Sequence, residues 1–171
     1  MSLTFVTGGA RSGKSAYALR LAAAAGAHVT MIAPAEARDA EMRERIDAHR
    51  RERPSSWRTV EEPLDLAAAL RGLPEGEFAV VDCLSLWVSN LLEHADGAAV
   101  EALAAEAAAL AAGHAGECVA VSNEVGMGIV PDNPLARSYR DVLGRVNAIW
   151  AEAADEAVLA VSGRLLRLER A

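Results

Sequence analysis

Cysteine and aromatic residues are scarce in this chain of 171 residues. It has two cysteines, Cys83 and Cys118, and only 4% of its residues are aromatic. Each cysteine falls in a short apolar run, so both are interpreted as small buried thiols in strands, and a disulfide framework is excluded. The absence of such a framework is typical of a reducing compartment, and we therefore predict a cytoplasmic protein.

Positive charge and long apolar segments are also in short supply. Lysine and arginine number 17 against 24 acidic residues, which gives a net charge of −7 and a pI of about 5.1. This balance argues against nonspecific nucleic-acid binding, but it leaves room for a local basic pocket that holds a phosphorylated small molecule. Outside the alanine-rich helices no stretch approaches the roughly 18 apolar residues of a membrane span. A glycine-rich loop begins at Gly8, so we expect no signal peptide either.

Short apolar runs alternate with helical patterns along the whole sequence. Continuous apolar runs are typical of parallel strands, which are buried on both faces. We predict one domain, 1–171, with an α/β fold: a mostly parallel sheet with helices on both faces and a C-terminal edge hairpin. The predicted strands are 3–7, 29–33, 57–60, 78–81, 118–121, 158–161 and 165–168. The predicted helices are 15–25, 39–53, 65–70, 84–92 and 135–153, with one more marked by a stripe of Val100, Leu103, Ala107 and Leu110.

The segment "VTGGARSGKS" contains a phosphate-binding loop, G-x-x-x-x-G-K-[ST]. Gly8, Gly9 and Gly13 let the backbone approach phosphate oxygens closely, and the helix that follows adds its N-terminal dipole. Lys14 is expected to reach the β and γ phosphates, and the Ser15 hydroxyl is the expected Mg²⁺ ligand. The motif therefore predicts binding of a nucleoside triphosphate, but it does not say which group is transferred.

Two acidic residues follow predicted strands and are candidates for the metal side of the site. Asp82 comes after four apolar residues, and we expect it at the end of a strand neighbouring the phosphate loop, where it would hold Mg²⁺ through water. The alternative for Asp82 is a helix N-cap or a structural strand-end aspartate. Glu124 also ends a strand, and it is either a second metal-side acid or a satisfied loop carboxylate.

His49 lies in the charged segment "RIDAHRRERP" and has two interpretations. It shares a helical face with Met42 and Ile46, which is typical of a packed core histidine. It also stands beside Arg50, Arg51 and Arg53, a cluster suited to binding anions, and a neutral imidazole is a competent nucleophile toward phosphorus. The pattern alone leaves both interpretations open.

Four longer segments together resemble a known family. They are "VTGGARSGKS" (6–15), "DAEMRERIDAHRRERPSSWRTVEEP" (39–63), "DCLSLWVSNLL" (82–92) and "SNEVGMGIVPDNPLARSYRDVLGRVN" (122–147). The phosphate loop is common among NTPases, whereas the second and fourth segments are highly specific. The chain resembles the bifunctional adenosylcobinamide kinases/adenosylcobinamide-phosphate guanylyltransferases of cobalamin synthesis.

The resemblance implies a RecA-like P-loop fold, a homotrimer and two reactions at one triphosphate site. Such enzymes phosphorylate adenosylcobinamide with ATP or GTP, and then transfer GMP from GTP to that phosphate through a guanylyl-histidine. By this resemblance His49 takes GMP, Lys14 is catalytic, and Ser15 and Asp82 hold Mg²⁺. The nucleotide-binding positions it implies are Gly8, Gly9, Ala10, Arg11, Ser12, Gly13, Lys14, Ser15, Ile32, Ala33, Pro34, Arg50, Arg51, Glu52, Arg53, Glu61 and Asp82.

The chain departs from the family pattern at two positions. Ala48 stands where some members carry a second histidine, so that histidine is not essential here. Pro34 replaces the polar residues that are common after the second strand. Two rival functions remain: a plain small-molecule kinase, which needs no His49, and a regulatory NTPase that uses the loop as a switch.

Overall fold

The computed structural model describes residues 2–26, 28–36, 39–51 and 53–170, without the side chains of Glu41, Arg45 and His49. The strands in this part of the chain are β1 (Ser2–Gly8), β2 (Val29–Ala33), β3 (Arg58–Glu61), β4 (Phe78–Asp82), β5 (Glu117–Val121), β6 (Glu156–Val161) and β7 (Arg164–Leu168). The helices are α1 (Lys14–Ala24), α2 (Ala40–Arg51), α3 (Leu66–Arg71), α4 (Leu84–Leu91), α5 (Gly97–Ala112) and α6 (Pro134–Ala153).

The strands form one sheet in the order β3-β2-β4-β5-β1-β6-β7, and only the β6–β7 pair is antiparallel. The expected mostly parallel sheet is therefore confirmed. The expected edge hairpin is confirmed as well: β6 and β7 are joined at Ser162 and Gly163, which have φ angles of 50° and 74°. Two successive positive φ angles match the twist of a tight hairpin turn.

Each face of the sheet packs on its own apolar cluster, because side chains alternate between the faces along every strand. On one face, Val6, Val80 and Val119 pack with Ala18 and Ala22 of α1. The cluster on the other face is larger, and it includes residues of α3, α4, α5 and α6 and the fully buried Trp87 and Trp150. Helices thus cover both faces, as the sequence predicted. No helix of the described residues is long and apolar enough to cross a membrane.

Helix α5 corrects the predicted apolar stripe. Val100 and Ala107 are buried, but Leu103 is 36% exposed, and Ala104 and Ala108 take the buried positions instead. Alanine has little side-chain volume, so this face can lie close to α6 and α3, which α5 contacts. The prediction was therefore wrong at Leu103 alone, since Leu110 is partly buried and packs against the larger apolar cluster.

The two cysteines differ in placement. Cys118 lies inside β5 and is buried, as predicted. Cys83 follows β4 instead of lying within it, is only partly buried, and occupies the N-cap position of α4. Both thiols are free. The expectation of a second cysteine inside a strand is therefore wrong for Cys83, because β4 ends at Asp82.

Candidate functional site

A cavity of about 880 Å³ opens at the edge of the sheet where the parallel strands end. Ligands of open parallel sheets bind at this edge, because the loops after the strands converge there. The cavity is lined by the phosphate loop, by the residues that follow β2, β4 and β5, and by α2, β3 and α6. The lining residues include Ser12, Lys14, Ser15, Ala33, Met42, Ile46, Ala48, Arg50, Arg53, Glu61, Asp82, Cys83, Ser85, Leu86, Asn123 and Tyr139.

The phosphate loop is fixed by close contact with the C-terminal hairpin. A Cβ on Gly8 would lie 2.3 Å from the carbonyl oxygen of Ala160, so only glycine fits there. Gly13 caps α1 with a φ of 99°, in the region that favours glycine. The backbone N–H of Gly163 donates a 2.9 Å hydrogen bond to the carbonyl of Ser12. These contacts set the path of the loop before it enters α1.

Lys14 lies at the start of α1 and is only 8% exposed. Its Nζ donates a 2.9 Å hydrogen bond to the carbonyl of Gly9, within the same loop. Burial lowers the pKa of Lys14, while the nearby Cys83 and Asp82 act in the opposite direction. The ammonium is thus held beside the loop amides, next to an acidic side chain, where a polyphosphate would add negative charge.

Asp82 is the last residue of β4, and the position of this strand corrects one expectation. The strand is not a neighbour of β1, because β5 lies between them: Val121 pairs with Val6 on one side and with Asp82 on the other. Asp82 nevertheless lines the same cavity as Lys14 and Ser15. Cys83, not Asp82, is the N-cap of α4, so the N-cap alternative is not supported.

Helix α2 and strand β3 form the opposite wall. Arg50 and Arg53 line the cavity, and Arg50 forms an ion pair with Glu61 that ties the end of α2 to β3. Arg50 is also 3.5 Å from Asp47 of its own helix. Arg51 is exposed and does not line the cavity. The structure therefore brings two of the three predicted arginines to the site.

The apolar face of α2 also lines the cavity. Met42 and Ile46 are partly buried and belong to neither apolar cluster of the described core. The backbone of His49 lies in α2, between Ala48 and Arg50, which both line the cavity. The side chain of His49, and Glu52 as a whole, lie outside the described residues. Met42 and Ile46, the residues whose spacing suggested a core histidine, thus line the cavity.

The predicted positions at the end of β2 contribute unequally. Ala33 lines the cavity, whereas the side chain of Ile32 is fully buried in the core. Pro34 is buried, and its carbonyl accepts a 2.9 Å hydrogen bond from Asn90. Gly8 and Gly9 belong to the phosphate loop but are not among the lining residues, unlike Ala10, Arg11 and Ser12. Nucleotide contacts at all of these positions stay predictions.

Several lining residues were missed from the sequence: Cys83, Ser85, Leu86, Asn123 and Tyr139. Asn123 lies two residues after the end of β5, the strand that separates β1 from β4, so the strand order would have pointed to it. The sequence drew attention instead to Glu124, whose carboxylate accepts a 2.5 Å hydrogen bond from the backbone N–H of Gly126 and does not line the cavity. This arrangement favours the loop-carboxylate interpretation of Glu124.

The thiol and the phenol at the cavity both remain protonated at neutral pH. Burial raises the pKa of Cys83, and it raises the pKa of Tyr139 to about 12. The Tyr139 hydroxyl donates a 3.1 Å hydrogen bond to the carbonyl of Ser85. These groups therefore serve as neutral hydrogen-bonding and packing groups around the more polar lining residues.

The donor set suits a hard cation that keeps much of its water. Among the described residues no group of three or more His, Cys, Asp or Glu side chains is arranged to hold a metal. Ser15 and Asp82 both line the cavity, and they offer one hydroxyl and one carboxylate. Mg²⁺ is usually bound by one or two such protein oxygens, with water and substrate phosphates as the remaining ligands. The residues present fit that ion.

A phosphate loop that opens a helix at the carboxyl edge of a mostly parallel sheet defines a P-loop nucleotide-binding protein of the α/β class. The family model described as cobinamide kinase / cobinamide phosphate guanyltransferase matches residues 4–168, so the chain belongs to that family. The resemblance expected from the sequence is confirmed, and with it membership of a family of bifunctional enzymes.

Curated relatives agree with this assignment over nearly the whole chain. The bifunctional adenosylcobalamin biosynthesis protein CobP of Pseudomonas aeruginosa is 44% identical over 159 residues, which cover 92% of each chain. The corresponding CobU proteins of Escherichia coli and Salmonella typhimurium are each 41% identical, over 94% of this chain and 96% of theirs. Among solved structures, the P4 protein of bacteriophage phi6 in complex with ADP has a TM-score of 0.46 and 16% identity, over 96% of this chain and 54% of its own.

Proposed function

We propose that this protein phosphorylates the free hydroxyl of adenosylcobinamide with ATP or GTP, and then transfers GMP from GTP to the new phosphate through a guanylyl intermediate on His49. The products of the second reaction are adenosylcobinamide-GDP and pyrophosphate. Family membership supports the pair of activities. The residue roles are supported by the positions of the cavity residues.

One observation carries this proposal: a single cavity joins the phosphate loop to both chain neighbours of His49. Lys14 and Ser15 line it on one side, and Ala48 and Arg50 line it on the other. Both reactions begin with a bound triphosphate, so one phosphate-binding loop can serve both. In the first, the γ phosphorus is attacked; in the second, the α phosphorus is attacked and the loop holds the departing β and γ phosphates.

The charges of the cavity suit these two transfers. The Lys14 ammonium and the loop amides stabilise charge that builds on the phosphate oxygens. Mg²⁺, when bound through Ser15 and Asp82, would neutralise further charge on the phosphates. Imidazole suits the second reaction because it is both a good nucleophile and a good leaving group, so the transfer divides into two displacements.

Incubation with GTP labelled at the α phosphate tests the proposal against its rivals. A guanylyltransferase takes up covalent label, whereas a plain kinase and a regulatory NTPase stay unlabelled. Phosphorylation of adenosylcobinamide in the same preparation then separates the kinase from the NTPase. Absence of covalent label in a folded protein that binds GTP would remove the second activity from the proposal.

We further propose a cytoplasmic homotrimer. An apolar surface after β5 supports assembly: Ile129 is 97% exposed and Met127 is 78% exposed, and association would remove both side chains from water. Light scattering gives the mass in solution. A mass of one chain, 17.9 kDa, at the concentrations used for activity would contradict the trimer.

A further inference from the structure

Asn123 lines the cavity, although it was not among the site residues predicted from the sequence. It follows β5, the strand between the phosphate-loop strand and the Asp82 strand. The next residue, Glu124, donates its N–H to the carbonyl of Gly8 at 3.0 Å, so this part of the chain runs beside the start of the phosphate loop. Asn123 also lines the cavity together with Lys14 and Asp82.

A chain of hydrogen bonds fixes the carboxamide of Asn123. Its Nδ2 donates to Ser85 Oγ at 2.8 Å, and its backbone carbonyl accepts from Asn147 Nδ2 at 3.0 Å. Asn147 of α6 is itself held, because its Oδ1 accepts from Ser122 Oγ at 2.6 Å. Tyr139 anchors the other end by donating to the carbonyl of Ser85. The bond from Nδ2 to Ser85 Oγ orients the carboxamide directly, and the other bonds hold the backbones of Asn123 and Ser85 in place.

The hydrogen bond to Ser85 uses the Nδ2 donor of Asn123 and leaves the Oδ1 acceptor available. Among the described residues Asn123 Oδ1 has no hydrogen-bond partner, although the residue lines the cavity. Asp82 and the phosphates expected at the loop, by contrast, carry negative charge. A neutral carbonyl oxygen is suited to accept a hydrogen bond from a neutral hydroxyl without repelling the phosphate that the hydroxyl attacks.

We propose that Asn123 Oδ1 binds the hydroxyl of the alcohol that accepts the γ-phosphoryl group, and that Ser85 is the positioning residue that orients this carboxamide. The inference rests on the proposed kinase activity. The alcohol oxygen bonds to the γ phosphorus, the bond from that phosphorus to the β–γ bridging oxygen breaks, and nucleoside diphosphate leaves. The hydroxyl proton passes to an oxygen of the transferred phosphoryl group, and Asn123 itself neither gains nor loses a proton.

The role is specific to the first reaction. In guanylylation of the enzyme no alcohol takes part, so the Oδ1 acceptor has no hydroxyl to hold. Asn123→Ala should therefore lower the kcat of adenosylcobinamide phosphorylation by about 10–100-fold, as expected when a reacting group is misplaced. Covalent labelling from α-labelled GTP should stay within a few-fold of the wild-type rate.

Two further variants separate positioning from folding. Ser85→Ala keeps the Asn123 carboxamide but removes its hydrogen-bond partner, so phosphorylation should fall less than in Asn123→Ala, with the KM for nucleotide unchanged. The matched control is Asn133→Ala, which removes the exposed N-cap of α6 and leaves the cavity lining intact. It should lower the melting temperature without changing the rate of phosphorylation per folded molecule.

The outcomes are distinguishable. Phosphorylation within three-fold of wild type in Asn123→Ala overturns the assignment, and equal losses of phosphorylation and labelling place Asn123 on the nucleotide instead of the alcohol. If Asn123→Ala does not fold, an unchanged rate in Ser85→Ala overturns the positioning role. A wild-type protein that labels but does not phosphorylate adenosylcobinamide overturns the proposed kinase, and this inference with it.

Discussion

Lys14 Nζ donates a 2.9 Å hydrogen bond to the carbonyl oxygen of Gly9, five residues earlier in the phosphate loop. The bond gives the buried ammonium a hydrogen-bond partner within the loop itself. An incoming triphosphate replaces one neutral acceptor with several charged ones. Lys14 is also the only lysine in the sequence, so no second lysine can replace it at the phosphates.

Lys14→Ala is expected to lose both activities. The ammonium would contact the β and γ phosphates in phosphoryl transfer and in guanylyl transfer alike, and removing such a charge stabiliser typically costs about 100-fold or more in rate. Phosphorylation of adenosylcobinamide and covalent labelling should be measured on the same preparation. A folded variant that binds Mg·GTP normally and keeps either rate within a few-fold would contradict the shared site.

The affinity for nucleotide is expected to fall in alkaline solution earlier than for a site with an exposed lysine. Burial lowers the pKa of Lys14, and bound phosphates raise it again because they favour the charged form. Lys14 thus has a lower pKa in the free protein than in the nucleotide complex. At pH values between these two pKa values, binding takes up a proton. The affinity for nucleotide therefore declines as the pH rises through the pKa of Lys14 in the free protein. Calorimetry in buffers of different ionisation enthalpy measures this proton uptake.

Lys14→Arg provides the control, because an arginine stays protonated over the whole range. The affinity of Lys14→Arg for nucleotide should stay constant over the pH range in which the wild-type affinity falls. With a single lysine, ¹³C-labelled lysine gives one side-chain signal, and its titration reads the pKa of Lys14 directly. A pKa at or above the ordinary value of 10.5 would contradict the prediction.

The sequence predicted the fold well because its signals are local. Apolar runs, turn residues and the phosphate-loop motif each act over a few positions, and they predicted the strands and the edge hairpin correctly. The strand order depends on pairings between distant segments, so the place of β5 between β1 and β4 was not foreseen. Asn123 and Ser85 lie in the family-like segments 122–147 and 82–92 but were not predicted as site residues, because the hydrogen bond between them joins segments that are distant in the sequence.

Asp82→Asn is expected to weaken turnover more than stability. The carboxylate ends β4 at the cavity, and the substitution keeps the shape of the side chain while removing the charge that would favour Mg²⁺. The Mg²⁺ concentration needed for half-maximal phosphorylation should rise several-fold, and the maximal rate should drop. Asp96→Asn at the N-cap of α5 is the matched control, because asparagine caps helices about as well as aspartate. A collapse of the melting temperature with unchanged activity per folded molecule would show a structural role for Asp82.

Two adjacent glycines of the phosphate loop are expected to respond differently to the same substitution. In Gly8→Ala the new Cβ would lie 2.3 Å from the carbonyl of Ala160, so the loop or β6 must move. Overpacking of this kind typically costs about 1–3 kcal/mol of unfolding free energy. A Cβ on Gly9 would meet nothing within 4 Å, and Gly9→Ala should unfold at nearly the wild-type temperature. Equal melting temperatures for the two variants would mean that the close approach of loop and hairpin is not maintained in solution.

His49→Ala is expected to abolish guanylyl transfer and covalent labelling while leaving adenosylcobinamide phosphorylation largely intact. The phosphoryl step needs no histidine nucleophile, whereas the guanylyl step passes through a bond between phosphorus and an imidazole nitrogen. The adduct should therefore be labile in acid and stable in base, and peptide mapping of labelled protein should find GMP on His49. His94→Ala is the matched control, since His94 is exposed and does not line the cavity. GMP recovered on another residue, or full guanylyltransferase activity in His49→Ala, would refute the assignment. His49 would then have to share the packing role of Met42 and Ile46, whose face of α2 lines the cavity and not the core.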